Sequence, residues 1–215
     1  MTTISAPHTT ALTTELRYLA LGDSYTIGEA VDEAGRWPMQ LARLLRMEGV
    51  LLGDPRIIAT TGWTTDELDA AITAAEPLGQ HDFVSLLIGV NNQYRGRDVE
   101  EYRTQFAALL WRAIGFAGNR PDRVLVLSIP DWGVTPFGAK SGRDAAQIAR
   151  ELDAYNLAAR EACTQRGVAF VDITPVSRAR GAEPGMVAAD GLHPSAAMYT
   201  EWTRLAFPVA HRLLA

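Results

Sequence analysis

Apolar and polar positions along the chain alternate between two periods. Short, nearly continuous apolar runs, among them "FVSLLI", "VLVLSI" and "VAFV", read as strands covered on both faces. Five strands are expected, at Leu16–Leu21, Arg56–Thr60, Phe83–Ile88, Val124–Ile129 and Val168–Val171. Between them apolar residues recur every three or four positions, the spacing of one helix face. Val99, Tyr102, Phe106, Leu109, Ala113 and Phe116 form one such stripe. Ile148, Leu152, Tyr155, Ala159 and Ala162 form a second, and Met198, Trp202, Leu205 and Val209 a third. A shorter helix is expected over Pro38–Met47, with proline in the first turn where its missing N–H costs little. Another should start at Thr64 or Thr65, with Asp66 and Glu67 near its positive end.

Strand and helix alternate without an internal repeat or a linker. This pattern implies an α/β fold: a five-stranded, mostly parallel sheet with helices on both faces, a three-layer α/β/α sandwich. Right-handed crossovers restrict it to a doubly wound, flavodoxin-like topology. A single domain over residues 16–215 is expected, behind a polar, Thr-rich flexible tail at residues 1–15. Ligands of such sheets bind beyond the carboxyl ends of the strands. Gly22-Asp23-Ser24, "TTGWTTDE", "GVNNQYRG", "PDWGVTPFG" and "DITPVSRARG" follow the five strands in turn, so the polar segments gather on one edge.

Composition narrows the classes further. The net charge is −5 and no basic stripe is present, which disfavours a nucleic-acid partner. No apolar run approaches the roughly 18 residues of a membrane span. The N-terminus has neither a basic start nor an apolar segment of signal-peptide type, so a cytoplasmic location is expected, with a periplasmic or secreted one left open. Cys163 is the only cysteine, so no internal disulfide can form; on the apolar side of its helix it reads as an inert buried thiol. Neither metal-ligand spacing nor a Gly-rich phosphate loop occurs, and no cofactor or metal is expected.

Ser24, at the end of a buried strand, becomes a nucleophile only beside a base, and a neutral histidine is the usual one. Of four histidines, His8 lies in the tail, His81 just before a strand and His211 near the end of the last helix. His193 differs. It sits in "AADGLHPSAAMY", three residues after Asp190, where a carboxylate can reach the Nδ1–H side of the ring. Donors for an oxyanion could come from the Ser24 N–H, the Gly62 N–H and the Asn91 side chain. Each of these residues also has a plain reading: a turn glycine, a loop amide, an Asp-Gly turn before a capped helix.

Together, "GDSY" after the first strand, the Gly of "TGW", "GVNN" after the third strand and "DGLHP" near the C-terminus resemble the SGNH hydrolases, also called GDSL esterases and lipases. The resemblance spans about residues 17–213 in the family's order. It implies Ser24 as nucleophile, His193 as general base and Asp190 as its orienting acid. It also implies an oxyanion hole from Ser24, Gly62 and Asn91, and a small-molecule ester as substrate. Two positions depart from the family pattern. Tyr25 replaces the usual leucine after the serine, and Asn92 replaces the usual aspartate, so a supporting hydrogen bond loses its charge.

Tyr25, Trp63, Tyr94, Trp132 and Phe137 are candidates to wall the substrate pocket. Arg95 and Arg97 read as solvated loop residues, Met198 and Trp202 as core, and Trp111 as core or interface. The activity implied is a serine esterase on short-chain acyl or acetyl esters, with thioesters and lysophospholipids as further substrates of relatives. A silent acyl- or sugar-binding domain and a phosphate-binding or signalling domain are the rival classes. The intact Ser, His and Asp set speaks against the first, and the missing phosphate loop against the second.

Overall fold

The computed structural model describes residues 15–215. The expected tail, His8 included, lies outside the described residues apart from Glu15. Five strands form one sheet: β1 (Tyr18–Gly22), β2 (Arg56–Ala59), β3 (Phe83–Leu87), β4 (Val124–Leu127) and β5 (Ala169–Val171). Their order is β2-β1-β3-β4-β5, and every neighbouring pair is parallel. The three central strands are buried along their whole length, which is why they read as unbroken apolar runs. The edge strands β2 and β5 are partly exposed.

The helices are α1 (Ser24–Ile27), α2 (Trp37–Met47), α3 (Thr65–Ala75), α4 (Val90–Tyr94), α5 (Val99–Phe116), α6 (Pro136–Lys140), α7 (Ala145–Arg166), α8 (Thr174–Arg180) and α9 (Ala196–Leu214). α2 packs against α9 and α5 against α7, which gives helical layers on both sides of the sheet. Helix α3 starts where its charges suggest, and Glu67 reaches back to accept the Thr64 N–H at 2.8 Å, the closing half of a capping box. Among the described residues, no helix is long and apolar enough to cross a membrane.

Some expected boundaries move. Leu16 joins the sheet region only through an isolated bridge to Leu52, and Thr60, Ile88, Ser128, Ile129 and Val168 lie outside the strands. Trp111 is 60% exposed, with the Arg166 guanidinium 5.1 Å from its ring centroid. It falls off the stripe of Tyr102, Phe106, Leu109 and Ala113 by about half a helical turn, so it cannot face the core. Cys163 is fully buried, and burial pushes its thiol up to about 12.

The order of the strands fixes where a site can form. β1 and β3 are neighbours although their connections leave in opposite directions, so a crevice opens beyond their carboxyl ends. Ser24 follows β1 and Asn91 follows β3.

Candidate active site

At the end of β1 the chain turns into helix within two residues. A Cβ on Gly22 would come within 2.2 Å of Thr26 Oγ1 and 2.4 Å of the Leu87 carbonyl, so only glycine lets this turn lie against β3. Asp23 caps the new turn, its Oδ1 accepting the Tyr25 N–H at 3.0 Å. Burial pushes the Asp23 carboxyl up to about 7, against the pull of the Tyr25 and Gly89 N–H groups, and its Oδ2 has no partner among the described residues. Ser24 then occupies the first position of α1, where an N–H has no intrahelical acceptor.

Gly62 lies in the loop after β2. Trp63 N–H donates to the Thr60 carbonyl at 3.3 Å, and Gly62 has φ +88° at the third position of that turn. This is the type II arrangement, which favours glycine there. Two groups from the β3 side hold the turn in place. Arg95 donates to the Gly62 carbonyl at 2.6 Å, and Asn91 Nδ2 donates one hydrogen to the Trp63 carbonyl at 2.9 Å. The second hydrogen of Asn91 Nδ2 is not spent. Neither are the Ser24 and Gly62 N–H groups among the described residues.

His193 comes from the loop before α9. Asp190 Oδ2 lies 2.6 Å from His193 Nδ1, while Asp190 Oδ1 accepts the Leu192 and His193 N–H groups at 2.9 and 3.0 Å. Burial alone raises the Asp190 carboxyl, but the bonds from the imidazole and the two N–H groups outweigh it and leave the carboxyl below its ordinary value. A carboxylate on Nδ1 keeps the proton there and leaves Nε2 as the lone-pair nitrogen.

Ser24, Gly62, Asn91 and His193 line one cavity of about 200 Å³. Tyr25, Tyr94, Trp132 and Phe137 line the same cavity, with the last three rings in mutual contact at 5.3–6.4 Å between centroids. Among the described residues the Ser24 hydroxyl makes no hydrogen bond to His193; such bonds commonly tighten only once substrate binds.

Other expectations are corrected. Trp63 does not line the cavity: its side chain packs against the core, and its carbonyl serves Asn91. Arg95 and Arg97 are not simply solvated; they pair with Glu67 (3.3 Å) and Asp66 (2.5 Å) and tie the segment after β3 to the first turn of α3. Asn92 gains what it loses in charge. Its Oδ1 accepts the Thr65 N–H at 3.1 Å, and its Nδ2 donates to Thr65 Oγ1 at 2.7 Å, which in turn donates to Gln105. A carboxylate could not make that second donation. Thr61, Val90 and Leu192 also line the cavity, and sequence reasoning passed over all three. The apolar Leu192 inside a polar loop was the available signal.

Among the described residues no group of three or more His, Cys, Asp and Glu side chains is placed to hold a metal ion. A search of curated protein sequences returns no match. Solved structures share the fold. The structure of TesA is 22% identical with a TM-score of 0.70, over 92% of this chain and 99% of its own. The lipase/acylhydrolase from Enterococcus faecalis is 20% identical with a TM-score of 0.68, over 93% and 98%. Axe2, an acetylxylan esterase from Geobacillus stearothermophilus, is 19% identical with a TM-score of 0.68, over 91% and 94%. The model of the GDSL-like lipase/acylhydrolase family matches residues 20–200. The "GDSY" turn, the five-stranded sheet and that match together place the chain in the GDSL-like lipase/acylhydrolase family of ester-bond hydrolases.

Proposed function

We propose that residues 16–215 act as a single serine esterase domain that cleaves short-chain acyl or acetyl esters through an acyl-enzyme on Ser24. One observation carries this reading: Ser24, two further residues with unspent donors (Gly62 and Asn91) and the Asp-oriented imidazole of His193 line one cavity.

In the first step Ser24 Oγ attacks the ester carbonyl carbon and its proton passes to His193 Nε2. The carbonyl oxygen becomes an oxyanion that accepts from the Ser24 N–H, the Gly62 N–H and Asn91 Nδ2. Asp190 holds the imidazolium that forms. Collapse of the intermediate breaks the bond to the alcohol oxygen, which takes the proton from His193. Water then attacks the acyl-enzyme with His193 again as base, releasing the carboxylic acid and restoring Ser24.

The size of the cavity supports a small acyl group. About 200 Å³ is close to the engineered apolar cavity of about 150 Å³ that takes up one benzene. An acetyl ester fits such a space, and an acetylated xylan is the substrate named for Axe2, a protein of the same fold.

The test is incubation with a fluorophosphonate followed by intact-mass and peptide mapping, with p-nitrophenyl acetate turnover measured alongside. A single adduct on Ser24, together with ester turnover, is expected. Folded protein that takes no adduct and hydrolyses no ester would move the silent binding domain to the front.

A further inference from the structure

A second crevice lies behind the wall of the site. It shares Tyr25, Trp132 and Leu192 with the cavity in front of Ser24 and continues to Met186, Met198 and Trp202. Its open part measures only about 20 Å³, which is room for about one water. Three of the polar side chains along it already have partners, while Trp202 Nε1 is buried without one among the described residues. Asp131 accepts from Gly133 and Arg178, Thr135 Oγ1 donates to the Trp132 carbonyl, and Ser177 Oγ donates to the Thr174 carbonyl. Apart from that one indole N–H, what the crevice offers a ligand is apolar surface, two of its members being methionines that re-pack easily.

The three shared side chains are not equally fixed. Trp132 donates through Nε1 to Gln93 at 2.8 Å, with the Arg143 guanidinium 5.3 Å from its ring. Tyr25 is held edge-on between the His193 and Trp202 rings, at 6.0 and 5.9 Å. Leu192 makes no polar side-chain contact, and only its N–H is bonded, to Asp190. It is the removable panel between the two spaces, and it stands between the two residues that form the acid–base pair.

We propose that Leu192 sets the length of the apolar chain the site accepts, by closing the crevice behind it. The inference rests on the esterase reading above. The chain could be the acyl group or the alcohol, and both would use the same apolar surface.

The experiment measures kcat/KM in two series. One varies the acyl group from acetyl to octanoyl on a p-nitrophenyl leaving group; the other varies the alcohol from ethyl to octyl on acetate. Wild type, Leu192→Ala, Leu192→Phe and the double variant Leu192→Ala/Met186→Trp are compared. In Leu192→Ala the long-to-short ratio should rise about 10-fold or more in one series, as burial of a few additional methylenes allows. The series that moves identifies the part of the ester that enters. Leu192→Phe should lower that ratio, and Met186→Trp, at a residue that lines the crevice and not the cavity in front of Ser24, should return it toward wild type. A site merely loosened by the alanine would not respond to filling at a residue that lines only the crevice. Unchanged ratios in both series, or a double variant that keeps the raised ratio, overturn the proposal. If wild type turns over no ester in either series, the esterase reading falls first and the proposal falls with it.

Discussion

The Ser24 turn and the His193 turn reach the same cavity by opposite means. Gly22, Asp23 and Ser24 sit in the core, locked by β1, β3 and the first turn of α1, with almost no exposure. Residues 186–195 form an outer loop closed by its own bonds: Ala188 N–H to the His193 carbonyl, Ser195 N–H to the Met186 carbonyl, and the contacts of Asp190. The first is placed by the fold, and the second by local turn chemistry. A hydroxyl needs only position, whereas an imidazole also needs its tautomer chosen, and a carboxylate three residues away in the same turn does that.

Substitutions can break this division of labour. Ser24→Ala should have the largest effect, lowering kcat by about 10⁴-fold or more and abolishing the phosphonate adduct. Its melting temperature should stay near wild type, because the hydroxyl holds nothing in the protein together. Asp190→Asn should cost about 10³- to 10⁴-fold in kcat by releasing the wrong tautomer, with the nucleophile turn intact in a circular-dichroism melt. Asn91→Ala removes one of the three proposed oxyanion donors and should cost about 100- to 1,000-fold, seen in kcat more than in KM.

A pH titration of stability sharpens the comparison, because the two carboxyls have opposite signs. Asp23 is raised when folded, to about 7, and therefore holds its proton where the unfolded chain has released it. Its contribution is greatest below about pH 4 and fades as the pH rises toward about 7. Asp190 is lowered, so its contribution is full above about pH 4 and is lost as the pH falls through its folded value. Thermal melts of wild type and Asp23→Asn should separate the two. The variant, which keeps an oxygen for the Tyr25 N–H, should lose the decline between about pH 4 and about pH 7. A decline of the same size in both proteins would remove Asp23 as its source.

Much of the architecture was legible because buried parallel strands leave unbroken apolar runs, and β1, β3 and β4 are such strands. Strand ends were less so: Thr60 after β2 and Ile129 after β4 look like strand but leave the sheet to build loops. In the site, residues fixed by short-range turn chemistry were readable. Asp190 and His193 belong to one turn, and Gly62 needs its positive φ. Contacts between loops were not. Nothing in the spacing of Arg95 or Arg97 points to Gly62 or Asp66, some thirty positions earlier, since that pairing is decided by which strands become neighbours. Trp63 fails for a related reason: the turn around Gly62, and not nearness to it in sequence, decides where the indole goes.

The two arginine links from the segment after β3 to the first turn of α3 make the medium part of the enzyme. Both ion pairs are partly exposed, at 3.3 Å for Arg95–Glu67 and 2.5 Å for Arg97–Asp66, so dissolved salt competes for them directly. Arg95 also grips the carbonyl of Gly62, which lines Ser24's cavity. Ionic strength should therefore reach the chemical step through loop registry, without touching a reacting group. Raising sodium chloride from about 0.05 M to about 1 M should lower kcat a few-fold on a neutral ester, in keeping with exposed pairs worth up to about 1 kcal/mol. In Arg95→Ala the rate should start at that lower level and respond less to salt.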